Sequence, residues 1–494
     1  MSPLDGLIYG FSVALTPGNL LAALAGALVG TFVGVLPGIG PLGAMALLLT
    51  ATLSLKPVTA LIMLAGIYYG SMYGGSTTSI LVNVPGEAGS VITAIDGYQM
   101  ARKGRAGAAL AVAAVGSFIA GTLGVVGLMF FAPALAKLAL SFSSPEFFAL
   151  ALLGLVTLSR LATGSVWKSL FALSLGLALA TVGMDPTSGV TRYTFEIIPL
   201  AQGIDLVPVV MGLYGVGEVL AVAEQAGGLP RITAFRFREL FPSMAEWRQA
   251  MPAILRGTGV GFLIGLLPGP GGVISTFASY GLEKRVSRRP EEFGHGAIAG
   301  VAGPESANNA ASSAAMVPLL ALGIPFSPIT AVLLAALLLQ GVQPGPLLMQ
   351  QRPDVFWGVV ASMYVGNVAL LILNFPLVGM WVSVLRIPQP ILVALILTFT
   401  LVGAYSISNS QLDLIVLVVM GVVGYLGKKL AFDLSPLVLG LVLGGLLEKT
   451  FNQSLYMARG NALVFFQRPI SATLLAILAV ILVGPALWRL KETR

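Results

Sequence analysis

Gly30 to Gly40 reads GTFVGVLPGIG, and Gly261 to Gly271 reads GFLIGLLPGPG. Both fit one pattern: Gly, three residues, Gly, one residue, Leu-Pro-Gly, one residue, Gly. Each copy closes an apolar run. Proline has no N–H for the helix ladder and its ring clashes with the preceding turn, while glycine turns sharply without a side-chain penalty. Two helix breaks of one design in a hydrophobic chain indicate a duplicated unit, and paired broken helices are a way transporters build a midplane site. A Pro/Gly kink combined with GxxxG helix packing is the plainer alternative.

The composition sets the solvent. Of 494 residues, 56% are hydrophobic and 10% charged, against about 25% charged in a soluble domain. The mean hydropathy is +0.93, as expected for a polytopic membrane protein. The 60 glycines and 30 prolines interrupt apolar runs and so imply tight helix packing and breaks rather than disorder. With no cysteine and one histidine, His295, disulfides, thiolate metal sites, iron–sulfur clusters and His-pair ligation are excluded. The net charge of +7 comes from basic residues in short loops, where they set topology rather than bind nucleic acid. No charged segment with a cleavage site opens the sequence, so the first helices are expected to insert uncleaved.

The expected fold is all-α and polytopic, with two inverted repeats and about 11–12 membrane segments. Repeat 1, residues 1–224, holds a Leu-Pro-Gly re-entrant hairpin at 20–55, a broken helix at 57–97 and spans within 106–224. Residues 4–16 are too short to span comfortably and suit the interface. The arms 20–36 and 41–55 reach roughly 22–26 Å, short of a hydrocarbon core of about 30 Å, hence the re-entrant reading. A basic linker, 225–251, carries Arg231, Arg236, Arg238 and Arg248. Repeat 2, residues 252–469, holds a hairpin at 252–283, a broken helix at 295–342 and spans within 355–447. A final span and basic tail occupy 470–494. The long spans 106–137 and 355–385 fall in matching places, and SVITAI at Ser90–Ile95 echoes SPITAV at Ser327–Val332. With the linker in the cytoplasm, most of the 27 lysines and arginines lie inside. The exception is 448–469, with Lys449, Arg459 and Arg468. An odd number of crossings between the hairpins makes the repeats inverted, and the C-terminus is cytoplasmic.

The candidate chemistry lies in two stretches expected to break their helices: Tyr73–Glu87, YGGSTTSILVNVPGE, and Gly303–Pro325, GPESANNAASSAAMVPLLALGIP. Backbone N–H groups at half-helix N-termini hold carboxylates, and hydroxyls, amide oxygens and freed carbonyls replace water around Na+. The expected substrate contacts are Gly38, Gly40, Ser76, Thr77, Thr78, Gly269, Gly271, Asn308 and Asn309. The expected cation-coupling set is Ser79, Asn83, Glu305, Ser312 and Ser313, with Na+ or H+ as the coupling ion and no other cofactor. The bland alternative is that Ser and Thr bond back to their own helices. Glu305 stands inside an apolar run, where a carboxylate is costly and usually functional, though it also suits a helix-end charge. Glu87 and Asp96 raise the same question more weakly, and His295 reads as interfacial. No HExxH, GxSxG or Walker A sequence is present, so an enzyme is not expected.

GTFVGVLPGIGP, YGGSTTSILVNVPGE, DGYQMARKG, GLLPGPGG and AGPESANNAASSAAMVPLLALGIP, in that order, make the chain resemble the large membrane subunit (TctA) of tripartite tricarboxylate transporters. The resemblance covers essentially the whole chain. It implies a bacterial inner-membrane, cation-coupled uptake system for citrate, other tricarboxylates or dicarboxylates. It also implies two partners, a small membrane subunit and a periplasmic solute-binding protein. An anion channel or passive carboxylate carrier on the same inverted repeats is the alternative, and a non-transporting scaffold has no residue in its favour.

Overall fold

The computed structural model describes residues 1–36, 40–161, 165–185, 188–224, 240–384 and 389–492. Gly38 and most of the linker, including Arg231, Arg236 and Arg238, lie outside the described residues. The protein is 80% helical. Strands, among the described residues, amount to the pair Gly183–Met184 and Thr191–Arg192.

The first half runs α1 (Pro3–Ala14), α2 (Pro17–Val35), α3 (Gly40–Thr52), α4 (Pro57–Val82), α5 (Val91–Arg102), α6 (Ala106–Ala139), α7 (Ser144–Leu161) and α8 (Val166–Ala180). Then α9 (Leu206–Val210) passes through a π-helical turn, Met211–Val216, into α10 (Gly217–Glu224). The second half begins with α11 (Met244–Gly265), α12 (Gly271–Val286), α13 (Ala299–Leu322), α14 (Pro328–Leu339), α15 (Leu348–Gln351) and α16 (Pro353–Asn374). It ends with α17 (Val378–Val384), α18 (Gln389–Ser408), α19 (Gln411–Lys429), α20 (Ser435–Met457), α21 (Val464–Gln467) and α22 (Pro469–Glu492). Prolines open α2, α4, α14 and α16, where the missing N–H is one the helix could not use anyway.

Among the described helices, α2, α6, α16 and α19 are long and apolar enough to cross a membrane. Their outer faces carry exposed Phe130 and Phe131 on α6 and Val418, Val419 and Val422 on α19. Large apolar side chains in rows on the outside are what a lipid solvent selects, and the chain is an all-α, multi-pass membrane protein.

The two halves pack alike. Gly26, Gly30 and Gly34 of α2 lie against the carbonyls of Met63, Ile67 and Ser71 on α4. Gly257, Gly261 and Gly265 of α11 lie against those of Gly303, Ala307 and Ala311 on α13. At Gly30 and Gly261 a Cβ would overlap backbone of the facing helix, so these glycines serve close packing. The matched helices also end alike, α4 at Asn83 (φ 57°) and α13 at Gly323 (φ 72°), both left-handed C-caps.

Three expectations change. The breaks fall later than 73–87 and 303–325 suggest: α4 and α13 run unbroken through Ser76–Ser79 and Glu305–Ser313, and the chain leaves helix only at 83–90 and 323–327. Hydroxyls returned to carbonyls of the preceding turn keep these polar stretches helical. Thr78 and Ser79 donate to Gly75 O at 3.0 Å, and Ser312 donates to Asn308 O at 2.9 Å. Residues 355–385 are not one span. Pro376 follows the end of α16, and the Trp381 indole N–H takes Leu373 O at 2.9 Å. Finally, the first hairpin arm begins at Pro17, giving α2 the length of a membrane crossing.

Candidate functional site

The start of α3 and the second Leu-Pro-Gly turn meet at one cavity of about 540 Å³. Its wall takes Gly40–Leu42 from α3 and Gly269–Val273 from the second turn and the start of α12. The breaks contribute Pro85–Ala88 and Phe326–Ile329; α4 adds Tyr68 and Met72, and α13 adds Asn308, Ala311, Ser312 and Ala315. Tyr214, Glu218, Lys428 and Ser435 complete it. The helices α3, α12 and α14 therefore all begin at this cavity. Helix N-termini present N–H groups without intrahelical acceptors and partial positive charge. At α12 the N-cap Pro270 offers no side-chain cap, and the Gly271 N–H turns back to Gly269 O at 2.8 Å, which leaves Gly272 and Val273 to face an anion. The Gly269 N–H donates to Phe326 O at 3.0 Å, which ties the second turn to the neighbouring break, with Gly269 at φ 141°.

Three charged groups line the cavity. Glu218 and Lys428 pair with each other. Glu87 has no basic partner among the described residues; it accepts from the Gly89 N–H at 2.8 Å and from Asn308 Nδ2 at 2.7 Å. Asn308 Oδ1, buried, has no hydrogen-bond partner among the described residues. The wall thus offers hydroxyls, free N–H groups and one unpaired carboxylate.

Beside this cavity Glu305 is buried on α13. Its Oε2 accepts from the Ser76 hydroxyl at 2.5 Å, and its Oε1 accepts from the Thr93 hydroxyl. Asn309 Nδ2 donates to Ser117 Oγ on α6 at 2.7 Å and to Glu305 O at 3.1 Å.

The expected site residues therefore separate. Gly40, Gly269, Gly271, Asn308 and Ser312 line the large cavity. Ser76, Thr77 and Glu305 line a small chamber next to it. Thr78 and Ser79 bond back to Gly75 O, and Ser79 also reaches Ser90 Oγ at 2.9 Å. Ser313 returns its hydroxyl to Asn309 O at 3.3 Å and packs on Gly124. Asn83 is an exposed helix cap. Gly38 lies outside the described residues.

Asp96 is an anchor. Its Oδ1 accepts from the N–H groups of Gly294, Gly296 and Ala297 at 2.7–2.9 Å, and its Oδ2 accepts from the Tyr280 hydroxyl at 2.9 Å. Exposed His295 sits within the loop so held, its carbonyl taking Lys103 Nζ. Sequence reasoning missed Tyr68, Thr93, Ser117, Lys428 and Asn374 as neighbours of the two cavities. Only Thr93 carried a signal, its place in the SVITAI echo.

The family model described as the tripartite tricarboxylate transporter TctA family matches residues 20–439. Over 477 residues, 97% of this chain and 95% of the relative, the sequence is 48% identical to an uncharacterized 52.8 kDa protein in the TAR-I ttuC' 3' region of Agrobacterium vitis. A second Agrobacterium vitis protein, in the TAR-II ttuC' 3' region, is 48% identical over 217 residues, 44% of this chain and 90% of that relative. No solved structure matches.

Proposed function

The chain belongs to the tripartite tricarboxylate transporter TctA family, and from that premise we propose that it is the large permease subunit of a cation-coupled carboxylate uptake system. The observation that carries this reading is the convergence of the second Leu-Pro-Gly turn and three helix N-termini on one cavity. A di- or tricarboxylate there is held by the N–H groups of Gly272 and Val273 and by the hydroxyls of Tyr68, Ser312 and Ser327, with Gly40 and Gly269 keeping the approach open.

Charge supports cation coupling. The lining carries Glu87, Glu218 and Lys428, one net negative charge before any substrate arrives. A second carboxylate about 4 Å from Glu87 would meet a repulsion of about 4 kcal/mol at an effective dielectric near 20. Sodium ions or protons entering with the substrate remove that penalty, and Glu87 and the bare Asn308 oxygen face the space where they would sit.

Inverted repeats are supported by how the matched helices meet. Along α4 the sequence Ser76, Met72, Tyr68 runs against Glu305, Asn308, Ser312 along α13, so the two cross antiparallel. In this reading the C-terminus is cytoplasmic. The family's tripartite form supplies the partners: a periplasmic binding protein that delivers the carboxylate, and a small membrane subunit, in a bacterial inner membrane.

The test is uptake of radiolabelled citrate, succinate and an aromatic dicarboxylate into vesicles holding the complete system, under an imposed Na+ or proton gradient. Accumulation above the outside concentration is expected. Flux that only equilibrates, whatever the gradient, would instead make this a channel or passive carrier.

A further inference from the structure

We propose that the chamber at Glu305 is a separate binding site for one dehydrated monovalent cation of sodium size, held by oxygens from both halves of the chain. The proposal rests on the transport reading above for its purpose, but on its own geometry for its place. The chamber, about 10 Å³, has the room that one water or one small ion needs. Its polar lining is Tyr73, Ser76 and Thr77 of α4, Ser117 of α6, Glu305 of α13 and Asn374 of α16.

Two groups in it are incomplete. Glu305 is 1% exposed and receives only neutral donors, the hydroxyls of Ser76 and Thr93. No lysine or arginine pairs with it among the described residues. An ionised carboxylate in such a place is strongly destabilising without a counter-charge. Asn374, 4% exposed, gives its Nδ2 to Leu370 O at 3.0 Å, and its Oδ1 has no partner among the described residues. A proton on Glu305 would remove the charge and leave the Asn374 oxygen needing a donor of its own. A water would serve that oxygen and leave the charge. One cation answers both. The donors are carboxylate, amide and hydroxyl oxygens without imidazole or thiolate, a hard set that suits Na+ and not the softer transition ions.

The chamber is placed to communicate with the substrate. Ser76 lies one helical turn from Met72, and Glu305 one turn from Asn308; Met72 and Asn308 line the large cavity and touch each other. Filling the chamber would fix the crossing of α4 and α13 that forms the substrate wall.

The experiment measures thermal unfolding of the purified full-length chain in detergent, without substrate, as Na+ replaces choline at constant ionic strength. Saturable stabilisation by Na+, and much less by K+, is expected. Glu305→Gln and Asn374→Ala should each weaken the half-saturating Na+ concentration by about tenfold or more, the loss of one good ligand. Asn374→Ser, which keeps a neutral oxygen near the same place, should lose less affinity than Asn374→Ala; Glu305→Gln serves if Asn374→Ala fails to fold. No Na+ effect in the native chain, an effect unaltered in the variants, or a response to pH alone would overturn the site. Uptake separates this from the transport reading. Na+-driven accumulation that survives Asn374→Ala unchanged rejects only the chamber, whereas uptake indifferent to every cation rejects the coupling itself.

Discussion

Asn308 on α13 donates its amide N–H to Oε1 of Glu87, 2.7 Å away in the break after α4. The two residues are far apart in sequence and belong to different halves, yet this bond closes one wall of the large cavity. The Asn308 amide oxygen, Oδ1, is buried without a hydrogen-bond partner among the described residues.

Asn308→Ala removes that donor from a carboxylate whose remaining partners are the backbone N–H groups of Gly89 and Ser90. A hydrogen bond to a charged group contributes about 1.5–3 kcal/mol. Uptake per folded protein is expected to fall by about tenfold, mostly through a raised KM. Saturation kinetics in vesicles check this, and an unchanged KM would place the pair outside the substrate site.

Gly261 and Gly269 answer to different physics. Alanine at Gly261, or at its counterpart Gly30, meets facing backbone, so the yield of folded protein should drop. Alanine at Gly269 must adopt φ 141°, a strain of about 1–3 kcal/mol at the cavity edge, and should lower uptake per folded protein instead. Quantifying both readouts for all three variants is decisive, since a common pattern would make the turn only another packing glycine.

Asp96→Ala strips the acceptor from three backbone N–H groups and one tyrosine hydroxyl. Leaving buried donors unsatisfied costs about 1–3 kcal/mol each, so the melting temperature should fall sharply while ion specificity of uptake is kept. A mutant as stable as the native chain would show that the 294–297 loop finds other acceptors.

Acid should loosen the start of α11. Burial raises the Glu246 carboxyl, but the Ser243 N–H at 2.5 Å, the Ser243 hydroxyl and Arg105 outweigh it and hold it below its ordinary 4.5. A depressed folded-state value means stability present above about 4.5 and lost as pH falls through the folded value. Melting followed from pH 7 to pH 3 should show a smaller acid-induced decline for Glu246→Gln, which starts lower. Parallel curves would show that Glu246 contributes no pH dependence.

Inverted repeats make a labelling prediction for this cysteine-free chain. Single cysteines at 240–248 and 284–290 should react from the cytoplasm, and those at 188–195 and 343–352 from outside. Reaction of 188–195 and 240–248 from the same side contradicts the inversion.

Membrane class and the start of the helix at Pro57 were legible in the sequence, because each depends on local chemistry. Apolar runs select lipid, and proline opens or stops a helix within one turn. The breaks were placed too early, since serine and threonine in a polar run are compatible with either freed backbone or bonds back to their own helix. Which of these wins depends on packing. In α4 and α13 the surrounding helices enclose the polar stretches, and hydroxyls such as Thr78, Ser306 and Ser312 return to carbonyls of their own helix.

Only the tertiary structure decided which polar groups meet. Ser76 finds Glu305, and Asn374 joins the same chamber from α16, because glycine rows fix the height and rotation at which α2 lies on α4 and α11 on α13. Those offsets are set by backbone-to-backbone contact summed along whole helices. A residue's own neighbours in sequence carry no record of them.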